Sequence, residues 1–166
     1  MIEIAKPEKL VVEALDSLVS EMAKSVSPDN LKTLSFDEFL SRPVPRHDIP
    51  HSNGGGKMFT QFEKFIPTLE KCTSILDHVR CTNAVLMFEN TQLPWHTNSN
   101  RPGTRTYYST GGGAFKYIDA DGVQQISLDN DNGWTVREFV LTKDDPFWHS
   151  TYSPSRRFSF GFGTDH

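Results

Sequence analysis

Between residues 7 and 26 apolar side chains return every three or four positions: Val11, Leu15, Leu18 and Met22 form a stripe that Val12 and Val19 widen. The spacing predicts an amphipathic helix. A second helical stretch covers residues 31–41, where Ser35 supplies an N-cap type ahead of Asp37 and Glu38, and it stops before Pro43 and Pro45. A third pattern runs through Phe59, Phe62, Phe65, Ile66 and Leu69 to Ile75, Leu76 and Val79, interrupted at Pro67 and ending near residue 80. Residues 42–57 lie between the last two. They hold three prolines, the run Gly54-Gly55-Gly56 and two histidines, so they read as a covering loop without a packed regular element.

After Asn83 the rhythm changes to short apolar or alternating runs at 84–89, 104–109, 114–118, 123–128, 134–141, 147–152 and 157–162. Turn residues separate them closely, which favours about seven antiparallel strands over crossover helices. Helices followed by such strands predict an α+β chain whose second half is a sandwich or jelly-roll-like barrel. The length of 166 residues fits one domain, 1–166, with 1–80 as mainly helical support and 83–162 as the barrel core.

Composition narrows the function classes. An apolar fraction of 36% with 12 phenylalanines predicts a folded chain with a phenylalanine-rich core. The net charge of −4 gives no strong nucleic-acid signal. No apolar run approaches bilayer length and none follows a basic start, so a cytoplasmic protein without a membrane partner is expected. Cys72 and Cys81 have no second pair and read as reduced core thiols rather than a disulfide framework.

Three features carry candidate chemistry. His96 and His149 each sit at a strand boundary beside a tryptophan, Trp95 and Trp148. In the last strand, alternation places Arg157, Ser159 and Gly161 on one face and Phe158, Phe160 and Phe162 on the other. A guanidinium on a buried face requires a carboxylate or phosphate, and a ligand anion is the economical partner. Arg105 and Tyr107 share a face of their own strand and are candidates to contact such an anion or the substrate.

The order His96-Thr97-Asn98, a second histidine at 149, then Arg157 and Ser159 resembles the signature of the Fe(II)/2-oxoglutarate-dependent oxygenases. The resemblance spans residues 83–162. It implies a double-stranded β-helix buttressed by helices, Fe(II) held by His96 and His149, and 2-oxoglutarate whose far carboxylate meets Arg157 and Ser159. Asn98 stands where the usual pattern has aspartate. The chain is in this respect most similar to the aspartyl/asparaginyl β-hydroxylase-like branch, which works with two histidines and no carboxylate. The implied reaction is hydroxylation of a peptide, amino acid or other small molecule.

Other patterns carry less. His47-Asp48-Ile49-Pro50-His51 has ligand types in a loop without a third partner, and Gly54-Gly55-Gly56-Lys57-Met58 misses the phosphate-loop spacing. Asp129-Asn130-Asp131-Asn132-Gly133 fails the calcium-loop spacing and reads as a hairpin turn. Two alternatives stay open at this point. One is a non-catalytic jelly-roll binding module that has lost iron; the other is a two-histidine phosphoesterase suggested by His149-Ser150-Thr151.

Overall fold

The computed structural model describes residues 1–25, 31–47, 55–59, 62–98 and 100–165. Its described part is mostly β-sheet with few helices. In chain order these are β1 (Glu3–Ala5), α1 (Lys9–Ser25), α2 (Phe36–Ser41), β2 (Gly56–Met58), a 3-10 turn (Glu63–Phe65) and α3 (Ile66–Ile75). Then come β3 (Arg80–Met87), β4 (Thr91–His96), β5 (Gly103–Thr110), β6 (Ala114–Ile118), β7 (Gln124–Leu128), β8 (Thr135–Leu141), β9 (His149–Ser153) and β10 (Arg157–Asp165).

The strands form a six-stranded sheet, β1-β8-β5-β10-β3-β2, and a four-stranded sheet, β4-β9-β6-β7. Every pairing is antiparallel, as the short connections predict. The stripe of α1 (Val11, Leu15, Leu18, Met22) and Phe65, Leu69 and Cys72 of the third helical region pack on Phe158, Phe160 and Phe162. The phenylalanine face of β10 is thus the buttressed outer face of the large sheet, and its Arg157–Ser159–Gly161 face looks between the sheets. A smaller cluster, with Phe39 of α2 against Ala114 and Tyr152, seats α2 on the small sheet.

Several elements differ from the sequence reading. The helix expected over 31–41 is confined to Phe36–Ser41, started by a capping box in which Ser35 Oγ accepts from Glu38 N–H and the Glu38 carboxylate accepts from Ser35 N–H. Pro67 does not interrupt the third helix but begins it, because a first-turn proline forfeits no intrahelical hydrogen bond. The 42–57 stretch does contain a regular element: β2 adds to the edge of β3. The rest of that loop from 48 to 54, His51 among it, lies outside the described residues.

Strand β4 went unread because Pro94 sits inside it. The strand tolerates proline at a register shift between Leu93 and His96, where no ladder bond is lost. The 129–133 segment is not a hairpin turn, since β7 and β8 belong to different sheets. Cys72 and Cys81 are free thiols. No helix among the described residues is long and apolar enough to cross a membrane.

Candidate metal and co-substrate site

His96 and His149 are directly opposite each other on β4 and β9. Cross-strand partners share a face, so two residues far apart in sequence put their imidazoles side by side, ring centroids 4.1 Å apart. Both rings are buried, with His149 only 1% exposed. Each Nδ1 meets a backbone carbonyl, Pro94 at 2.7 Å for His96 and Phe147 at 2.8 Å for His149. A carbonyl only accepts, so Nδ1 carries the proton and Nε2 is the lone-pair nitrogen, the tautomer a metal ligand needs. Phe115 and Phe147 stack on His149 with centroids 5.4 and 5.3 Å away, fixing its plane.

Asn98 stands at φ 54°, a left-handed conformation that asparagine tolerates better than most residues. From there its amide lies 3.4 Å from His149 Nε2. Among the described residues no third His, Cys, Asp or Glu joins them as a metal cluster. The local donor set is therefore two imidazoles and one neutral amide. That chemistry fits a first-row divalent metal bound more weakly than by two histidines and a carboxylate.

These residues line a cavity of about 270 Å³ between the sheets. Arg105, Tyr107, Ser159 and Thr151 share its walls. In the register of β3, β10 and β5, Asn83, Gly161 and Tyr107 form one row, and Arg80, Gly163 and Arg105 form the next. A Cβ on Gly161 would lie 2.1 Å from Asn83 Oδ1 and 2.6 Å from Tyr107 Cε1, so glycine there is what leaves room for those side chains. Between Asn83 and Cys81 the pairing slips, making Thr82 the extra residue of a bulge and turning Arg80, Thr82 and Asn83 all toward the cavity.

Charge is arranged unevenly. Burial works to lower the proton affinity of Arg105, while Tyr107 and Asp165 support its charge. Its guanidinium donates to the carbonyls of Thr104 and Arg101 and lies 3.3 Å from the Asp165 carboxylate. Burial raises the Tyr107 phenol above its ordinary range against the pull of Arg105.

Arg157 is the exception among the expected site residues. It is 1% exposed and does not line the cavity: its Nε donates to Asp129 Oδ2 at 2.6 Å and its second nitrogen to Oδ1 at 3.3 Å. Arg137 binds the same carboxylate at 2.7 Å. The expectation that Arg157 receives the co-substrate is thereby corrected. A buried guanidinium did need an anion, and the chain supplies it from residue 129. Burial works to raise the Asp129 carboxyl, but Arg157 and Arg137 hold it below its ordinary range.

The sequence reading missed Asp129, Asn83, Arg80 and Arg101. The bulge places Arg80 and Asn83, pairing across the sheets places Asp129, and a turn closed onto Asn98 places Arg101.

No protein-family model and no curated protein matches the sequence. Solved structures do. One is a prolyl hydroxylase of Trichoplax adhaerens in complex with a hypoxia inducible factor oxygen degradation domain peptide fragment, 12% identical with TM-score 0.56, over 99% of this chain and 83% of that one. Another is a Pseudomonas putida prolyl-4-hydroxylase, 11% identical with TM-score 0.54, over 99% of this chain and 91% of that one. Neither likeness reaches the aspartyl/asparaginyl branch. What they establish is shared architecture: this chain has a fold similar to that of the prolyl hydroxylases.

Proposed function

We propose that the chain is an Fe(II)- and 2-oxoglutarate-dependent oxygenase that hydroxylates a peptide, amino acid or other small molecule. In this reading residues 1–166 act as one unit and the two-sheet core is a double-stranded β-helix. The observation that carries it is the His96–His149 pair, its Nδ1 protons both committed to backbone carbonyls, on a cavity shared with Arg105, Tyr107 and Ser159. The two-histidine donor set is closest in kind to that of the aspartyl/asparaginyl branch.

The metal would be held by His96 and His149, with Asn98 as a weak third donor. When bound, Fe(II) with 2-oxoglutarate and oxygen supplies the oxidising power for hydroxylation, releasing carbon dioxide and succinate. The protein's part is placement. Phe115 and Phe147 keep the His149 ring from rotating and exclude water from one side of it. The hydroxyls of Tyr107 and Ser159 would receive the far carboxylate under the positive charge of Arg105, whose Asp165 partner is half exposed and displaceable.

The test is anaerobic addition of Fe(II) and 2-oxoglutarate, followed by oxygen. A weak visible absorption band and metal-dependent succinate release are expected, both abolished by His149→Ala. Absence of the band together with metal-independent 2-oxoglutarate behaviour would return the chain to the class of non-catalytic binding modules.

A further inference from the structure

We propose that the outer edge of β7 receives an extended segment of a protein partner as an added strand, apolar at alternate positions and basic at both ends. The inference is independent of the oxygenase reading. β7 lies at one end of the small sheet, and among the described residues β6 is its one strand neighbour. The other strands at sheet ends are shorter or engaged. β1 and β2 hold three residues each, and the Gln92 carbonyl of β4 accepts from Gly55 N–H at 2.8 Å. Hydrogen-bond phase identifies which groups of β7 face outward. Asp119 N–H donates to the Val123 carbonyl at 3.0 Å and Asp129 N–H to the Gly113 carbonyl at 2.9 Å. Bonded pairs alternate along an antiparallel ladder, so Gln125 and Ser127, opposite Tyr117 and Phe115, commit their backbone groups to β6. The N–H and C=O of Gln124, Ile126 and Leu128 therefore point out of the sheet edge.

Edges of this kind are ordinarily guarded by lysine, proline or a bulge. From Asp119 to Gly133 there is no Lys, Arg or Pro, and the β6–β7 register runs without a shift. Residues 121–126 and 128 are exposed, Ile126 to 44% and Leu128 to 65%. Leu128 lies opposite Ala114, which packs with Phe39 of α2, and Ile126 lies opposite Lys116, which reaches the Phe39 carbonyl. Both apolar side chains thus extend the face that carries α2, and alternate apolar residues on an added strand would cover them. Charge decides between partners. The same stretch holds Asp119, Asp121, Asp129 and Asp131, and among the described residues Asp129 alone has ion-pair partners, Arg137 and Arg157. Asp121 stands five residues before Ile126 and Asp131 five after it. In a second copy paired antiparallel about Ile126 these acids would face each other at both ends, which opposes self-pairing. Lysine or arginine at the ends of an incoming segment meets the same acids with attraction.

The test is a fluorescence-anisotropy titration of the chain into a labelled peptide of alternating Thr and Val with two lysines at each end, and into the same peptide with glutamates in their place. We expect the lysine form to bind at least about tenfold tighter. That preference should shrink at high salt and in the double variant Asp121→Asn, Asp131→Asn. Ile126→Pro removes one edge-facing N–H and no bond to β6, so it should abolish peptide binding and leave the urea midpoint nearly unchanged. Where Ile126→Pro does not fold, Ile126→Lys at the same exposed position keeps the backbone intact and should weaken the lysine peptide by about tenfold. Undetectable binding of the lysine peptide, equal binding of the two forms, or parental affinity in a folded Ile126 variant overturns the proposal. So does concentration-dependent dimerisation, seen by sedimentation and lost in Ile126→Pro, which would assign the edge to a second copy.

Discussion

At the scale of single residues, the oxygenase proposal makes Asn98 the group that sets how tightly a metal would be held. An amide oxygen donates less charge than a carboxylate, and the backbone at φ 54° accepts aspartate nearly as well as asparagine. Asn98→Asp should therefore raise Fe(II) or Mn(II) affinity by about tenfold, read by equilibrium titration. An unchanged affinity would place residue 98 outside the coordination sphere. Gly161 sets the shape of the space next to it. A methyl group there collides with Asn83, Thr82 and Tyr107, so Gly161→Ala should displace Tyr107, weaken 2-oxoglutarate uptake and cost about 1–3 kcal/mol of stability. Wild-type uptake in a folded Gly161→Ala chain would remove Tyr107 from the proposed co-substrate site. His96, His149, Arg105, Tyr107 and Ser159 were legible as candidates because residue type and strand alternation are local properties. Arg101 and Asn83 were not, since a lone polar residue in a turn or beside a bulge looks like any other.

At the scale of elements, α2 shows how a six-residue helix is kept in place. Too short to be stable alone, it is capped at its start by Ser35 and Glu38 and held at its end by Lys116. The Lys116 ammonium donates to the carbonyls of Phe39 and Arg42 and lies 4.3 Å from the Phe39 ring centroid and 4.7 Å from that of Trp95. Its side chain is fully buried, and burial lowers its pKa to about 8. In the unfolded chain the same amine titrates near its ordinary value, so between those two values the unfolded state binds more protons. The Lys116 contribution to stability is thus complete above the ordinary lysine value and lost as pH falls through about 8. Cys72 works in the opposite direction, because burial raises its thiol to about 11. Comparing the parent with Lys116→Met cancels the thiol. The difference in urea midpoint should move in the parent's favour as pH rises above about 8. A pH-independent difference would mean that Lys116 titrates at the same value in the folded and unfolded chain.

At the scale of the whole molecule, Asp129 joins the two sheets. It follows β7 of the small sheet and pairs with Arg137 of β8 and Arg157 of β10 in the large one, all three side chains essentially inaccessible. Asp129→Asn would strand two buried cations and should cost about 3–5 kcal/mol, measured by denaturant unfolding. Because the folded carboxyl sits below its ordinary range, the stability it provides is present above the unfolded carboxylate value, about 4, and is lost as pH falls through the folded one. An acid-unfolding profile identical in Asp129→Asn and parent would deny the carboxylate that role. What the sequence determined by itself was periodic or compositional: the α1 stripe, the strand-rich second half, the two-faced β10, and two histidines at strand ends. Each follows from backbone geometry acting over a few residues. Only the tertiary structure decided which groups meet. It opposed His96 to His149 through the register of β4 and β9, made room at Gly161 and Gly163 for the side chains of Asn83, Tyr107 and Arg105, and gave Arg157 to Asp129 instead of to a ligand. Charge pairing and register depend on distance through space, and a period along the chain carries no record of that distance.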